Sequence, residues 1–156
     1  VAEAHVAEVH VAQTYLVDTS VFLRWFIPQV GWEHAREVRA AFLAGSVALE
    51  TADSARIELG HVLRTKGLQT GRLTRDQYLA AVRAVDDLGV LVHSTDVDAL
   101  ERSAALAADR HLRLIDAIIV DRALERDLPL LTSDARLCRV VDGLLSTELL
   151  RGVGGS

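Results

Sequence analysis

Four acidic residues stand out by their neighbours: Asp18, Glu58, Asp116 and Asp134. Asp18 closes the apolar run Tyr15–Val17, and Asp116 opens onto Ala117–Val120. Glu58 lies between Ile57 and Leu59, and Asp134 follows the stretch Leu130–Ser133. Carboxylates gathered beside a core repel one another, and burial raises their pKa values. Such a gathering is tolerable when a divalent cation neutralises it. No thiol or paired imidazole accompanies these acids, and His61 and His93 are not spaced as a zinc set. Hard oxygen donors alone point to Mg²⁺ or Mn²⁺. Each acid also has an ordinary reading. Asp18 and Asp134 could cap helices or turns, Asp116 could favour a helix dipole, and Glu58 could face solvent.

The elements that must carry these acids follow from hydrophobic spacing. Tyr15–Val17 reads as a buried strand, and 19–26 as a helix stopped by Pro28. Residues 33–44 form a helix ended by Gly45, and 47–49 a second strand. Residues 52–64 carry Ala55, Leu59, Val62 and Leu63 on one helical face, closed by Gly67. Thr74 and Gln77 make a capping box for a helix to Leu88, broken by Gly89, and 90–92 is a third strand. Thr95 and Asp98 read as a second box, opening a helix to His111. Residues 115–126 are helical, 129–132 is a fourth strand, and 144–149 holds a possible fifth. Short non-alternating strands separated by helices imply a parallel sheet covered on both faces. Ligands in such sheets bind beyond the carboxyl ends of the strands. Asp18 and Asp134 fall there, and four separate segments can converge on that rim.

A chain of 156 residues suits one domain, here residues 15–150. Residues 1–14, with the repeated His-Val-Ala at 5–7 and 10–12, read as an N-terminal extension, and 151–156 as a Gly-rich flexible tail. The chain holds no Met and opens on Val, which points to a removed or non-standard start. Half of the residues are hydrophobic, which excludes a disordered chain. The single cysteine, Cys138, allows no internal disulfide and reads as a small buried group in a reducing compartment. No run approaches the ~20 apolar residues of a membrane span, and the N-terminus makes a poor secretory signal. A cytoplasmic location is therefore expected, with no membrane partner. A net charge of −5 and 4% aromatics exclude a general nucleic-acid coat or a base-stacking platform. Trp25 reads as core, and the glycines lack any phosphate-loop context.

With these residues in view, the chain resembles the PIN-domain nucleases, and within them the VapC-type toxins of bacterial toxin–antitoxin pairs. The resemblance rests on YLVDTSVFLRWF, SARIELGHVL and LRLIDAIIVDRALERDLPLLTSDARL, which span Tyr15 to Leu137. Each motif alone is weak; their order and spacing together are strong. The family's acids map onto Asp18 (followed by Thr19 and Ser20), Glu58, Asp116 (followed by Ala117) and Asp134 (preceded by Thr132). The long N-terminal extension departs from the family pattern.

The resemblance implies a three-layer α/β/α sandwich around a parallel sheet of four or five strands. It implies an Mg²⁺-dependent endoribonuclease, with Mn²⁺ as a substitute. Asp18, Asp116 and Asp134 would be metal ligands, Glu58 would complete the catalytic set, and Ser20 and Thr132 would support them. The expected products carry a 5′-phosphate and a 3′-hydroxyl. Arginines 110, 113, 122, 126, 136 and 139 are candidates to grip RNA, against a plainer role as solvated faces or ion-pair partners, and Arg24 follows Asp18 closely. A cognate antitoxin is the implied partner, and a homodimer through the helices between Ala52 and Leu88 is expected. The rival readings are a housekeeping RNA-processing nuclease and a non-catalytic RNA- or partner-binding module. An aspartyl-nucleophile phosphatase is disfavoured, because Ser20 stands where that chemistry wants a second Asp.

Overall fold

The computed structural model describes residues 11–154. Residues 1–10 of the expected extension, with His5 and His10, and residues 155–156 of the expected tail lie outside the described residues. Five strands form one parallel sheet: β1 (Gln13–Val17), β2 (Val47–Ala52), β3 (Leu91–His93), β4 (Leu130–Thr132) and β5 (Thr147–Leu149), in the order β3-β2-β1-β4-β5. Both faces are covered, so neighbouring residues on one strand enter opposite cores. Leu16 and Leu130 pack with Ile119, Val120 and Leu137 on one side. Val17 and Leu131 pack with Phe22, Trp25 and Leu59 on the other. All four strand residues are fully buried, each contributing about 1.5–3 kcal/mol of hydrophobic stabilisation.

Helices α1 (Thr19–Leu23), α2 (Trp32–Leu43), α3 (Asp53–Leu63) and α4 (Arg75–Asp87) build the outer layer on the Val17 and Leu131 side. Helices α6 (Leu114–Arg126) and α7 (Ala135–Val140) build the layer on the Leu16 and Leu130 side, with α5 (Val97–Arg110) packed on α6. This is the expected α/β/α sandwich, with the fifth strand present. Trp25 is core as expected: its Nε1–H donates to the Ala35 carbonyl at 2.9 Å and its ring meets Phe22 edge-on. The Thr74–Gln77 capping box is formed. Among the described residues, no helix is long and apolar enough to cross a membrane.

Several local expectations are corrected. The first helix stops at Leu23 and continues only as turns to Ile27. The Thr95–Asp98 box does not form, because Asp53 captures Thr95 through its N–H (2.9 Å) and hydroxyl (2.6 Å). The cap passes to Asp96, which accepts from the Ala99 N–H at 2.8 Å. Gly67 does not close α3; the helix runs on through a π-helical turn, Arg64–Leu68. Helix α7 was not expected from spacing, being only six residues long. Cys138 on α7 is half-buried rather than buried. Residues 151–154 form a turn against α2, where the Arg151 N–H donates to His34 Nδ1 at 2.8 Å and Val153 packs on the core.

Candidate active site

The chain leaves β1 through α1 toward β2, and leaves β4 through α7 toward β5 on the opposite side. Neighbouring strands whose connections diverge leave a crevice at their carboxyl ends, where parallel sheets bind ligands. One pocket opens at that point, and all four expected acids line it, together with Ser20. Asp18 follows β1 directly, Asp134 lies two residues past β4, Asp116 is in the first turn of α6, and Glu58 is on α3.

Asp18 occupies the N-cap position of α1 but does not cap it with its side chain. Its Oδ2 instead accepts from the Thr132 hydroxyl at 2.8 Å and the Ser20 hydroxyl at 2.9 Å. Those hydroxyls accept in turn from the loop after β4: Asp134 N–H to Thr132 Oγ1, and Ser133 N–H to Ser20 Oγ, both at 3.0 Å. The loop that carries Asp134 is therefore held to Asp18 through two hydroxyl bridges. Asp18 is 5% exposed. Burial pushes its carboxyl up to about 6; the two hydroxyls oppose this, and the nearby charges of Asp116 and Glu58 add to it.

Asp134 does cap α7, accepting from the Leu137 N–H at 3.0 Å. Its ordinary role and its place in the pocket are thus compatible. Asp116 is buried beside Ala117–Val120, as its apolar neighbours suggested. Glu58 is half-buried next to fully buried Leu59, but Ile57 is 72% exposed. One residue along a helix turns about 100°, which carries Ile57 off the core face.

Arg113, immediately before α6, grips Asp116 with two donors: Nε to Oδ2 at 3.1 Å and Nη2 to Oδ1 at 3.0 Å. Nη2 also reaches Glu58 Oε2 at 3.3 Å. The hydrogen bond to Asp116 holds the guanidinium pKa above its ordinary value. Sequence spacing marks Arg113 only as a candidate RNA contact; its bridging role needs the tertiary meeting of α3 and α6. Among the described residues, no three acidic, histidine or cysteine side chains are grouped closely enough to hold one ion together. The donor chemistry nonetheless fits a hard cation. The lining acids and hydroxyls offer oxygen only, and Asp18 is a desolvated carboxylate facing other negative charge.

The other arginines expected to grip RNA lie elsewhere. Arg122 donates to the Ser94 carbonyl, and Arg126 makes a two-pronged pair with Glu50, which also binds His93. Arg110, Arg136 and Arg139 are not part of the pocket wall. The cations that do line it are Arg24, Lys66 and Arg113. Sequence spacing offers one signal for Lys66: it follows Glu58 and Val62 in successive four-residue steps, which make neighbours along a helix although each step drifts by about 40°.

Comparison with known proteins bears on the fold. The model of the PIN domain family matches residues 15–143. A toxin–antitoxin complex from Klebsiella pneumoniae is similar at 19% identity, covering 86% of this chain and 95% of that one, with a TM-score of 0.62. VapBC-5 from Mycobacterium tuberculosis, a member of the VapBC family of toxin–antitoxin systems, is 26% identical over 88% of this chain and 98% of its own, with a TM-score of 0.56. VapC20 from the same organism, described as a sarcin–ricin loop cleaving toxin, is 15% identical over 80% and 93%, with a TM-score of 0.65. The 15% and 19% likenesses establish the fold. No curated protein matches the sequence.

Proposed function

This chain belongs to the PIN-domain family, and on that premise we propose that it is a Mg²⁺- or Mn²⁺-dependent endoribonuclease acting as the toxin of a toxin–antitoxin pair. The observation that carries the reading is the arrival of four carboxylates, from four chain segments, in one pocket at the switch point of the sheet. Asp18, Asp116 and Asp134 would hold the ion, and Glu58 would complete the acidic set. An ion there supplies Lewis-acid chemistry, polarising phosphoryl oxygens and acidifying water. The chain's own part is positional. Ser20 and Thr132 fix the Asp18 carboxylate and tie it to the Asp134 loop. Arg113 would leave Asp116 and Glu58 as cations or substrate enter; its side chain is 65% exposed, so releasing these contacts costs little.

The likeness to VapBC-5 at 26% identity supports an antitoxin as partner. Such a partner would offer a basic side chain to the acidic pocket, in the place Arg113 takes here. Self-association through α3 and α4 is supported by exposed Ile57 and Leu79 on those helices, and a strict monomer by size-exclusion mass measurement would remove it. A cytoplasmic site of action accords with cellular RNA as substrate.

The deciding experiment sequences RNA ends after induced expression in cells, with Asp116→Asn as control, beside cleavage by the purified protein in Mg²⁺ or Mn²⁺. New 5′-phosphate ends that vanish in the variant are expected. Equal ends from both proteins would overturn the catalytic assignment. Binding without cleavage would leave a non-catalytic module.

A further inference from the structure

A pocket floored by carboxylates in a chain of net charge −5 needs local cations to admit a polyanion. Of the three cations that line it, Arg113 is engaged by Asp116 and Glu58. Arg24 and Lys66 make no ion pair among the described residues. We propose that Arg24 and Lys66 are substrate-positioning residues that bind RNA backbone phosphates beside the scissile one. This rests on the reading of the pocket as an RNA-cleaving site.

Arg24 is built for a fixed contact. Its Nε donates to the Val30 carbonyl at 2.7 Å and its Nη1 to the Ser20 carbonyl at 2.8 Å. Two main-chain acceptors set the plane of the guanidinium and leave Nη2 without a partner among the described residues. A charged donor held this way, in the wall of the acid pocket, needs no reordering to meet a phosphate oxygen. Its anchor at Ser20 is the same residue that orients Asp18.

Lys66 is delivered by an irregularity in the helix that carries Glu58. In a regular α-helix each four-residue step drifts by about 40°, which would turn Lys66 well away from Glu58. The π-helical turn, closed by Gln69 N–H to Arg64 O at 2.9 Å, holds more residues per turn and offsets part of that drift. Gly67 permits it: a Cβ there would lie 2.6 Å from Leu73 Cδ1 and 3.4 Å from Ile27 Cδ1. Burying Gly67 against Leu73 and Ile27 leaves the preceding Lys66 exposed at the pocket.

The test separates binding from cleavage. Affinity for fluorescent single-stranded oligouridine is read by anisotropy in EDTA across a salt series, for the wild type, Lys66→Ala, Lys66→Arg and Arg24→Gln. Lys66→Ala should weaken binding about fourfold near physiological salt and lower the salt slope by about 0.7, the value of one phosphate contact on a single strand. Lys66→Arg should restore both. In the Mg²⁺ cleavage assay, KM should rise for Lys66→Ala with kcat little changed. Lys66 is exposed, so this arm stands even if Arg24→Gln, which loses two main-chain contacts, proves unfolded by circular dichroism. Unchanged affinity and slope in Lys66→Ala, with a wild type that cleaves, would overturn this inference alone. Lys66-dependent binding by a wild type that never cleaves would instead overturn the catalytic reading. A wild type that does not bind RNA would end both.

Discussion

The Thr132 hydroxyl donates to Asp18 Oδ2 at 2.8 Å across 114 residues of chain, joining the ends of two neighbouring strands at the crevice. Thr132 Oγ1 also accepts from the Asp134 N–H. Thr132→Val keeps the side-chain shape and removes both bonds, leaving the Asp134 amide without its partner. The expected cost is about 1–3 kcal/mol of stability, measured by urea unfolding. The hydroxyl also lowers the Asp18 pKa, so the variant should need a higher pH for half-maximal cleavage. An unshifted pH profile would mean that Asp18 is not oriented through Thr132.

Burial raises Asp18 in the folded chain to about 6, from an ordinary 3.8. The folded state therefore holds this proton more tightly than the unfolded one. The resulting stability is fully present below about 3.8 and is lost as pH rises through about 6. In EDTA near neutral pH, Asp18→Asn should be more stable than the wild type by up to about 3 kcal/mol. Near pH 4 the two should converge. Glu50 and Asp53 have depressed values, so their contributions fade only in acid, and equally in both proteins. A stability difference independent of pH would contradict the burial of an ionisable Asp18.

Asp116→Asn should reduce RNA cleavage by on the order of 10²-fold or more with the fold intact by circular dichroism. Its stability should respond differently from that of Asp18→Asn. Asp116 is paired in two places by Arg113, so removing its charge also removes an attraction. A gain in stability from removing a buried charge is expected at position 18, not at position 116.

Arg113→Gln uncovers Asp116 and Glu58 and leaves the pocket more negative. The metal-free variant should melt lower than the wild type, and Mg²⁺ or Mn²⁺ should raise its melting temperature by more. Linkage sets the scale: an ion at 100 times its Kd stabilises by about 2.7 kcal/mol. Calorimetric titration should report tighter metal binding in the variant. Identical metal affinity with and without Arg113 would show that the guanidinium and the cation do not compete for the same oxygens.

Residue order and spacing determined the layers of this protein. Uninterrupted apolar triplets such as Tyr15–Val17 and Pro129–Leu131 flanked by helical periods allow little besides a parallel sheet buried on both faces, and the acids at strand ends mark its ligand-binding edge. Residues separated by many positions can meet only after folding, and their pairings were invisible beforehand. Only tertiary packing decided that Arg113 would span Asp116 and Glu58, that Asp53 would take Thr95 from its helix cap, and that the arginines of α6 would turn to Ser94 and Glu50 instead of the pocket. The helix through Lys66 shows the same division. Its eight-residue spacing from Glu58, two four-residue steps through Val62, is local and readable, but the widened turn depends on Gly67 meeting Leu73 and Ile27. Local propensity is a property of a few adjacent residues, whereas a charge finds its partner among whatever the core brings within reach.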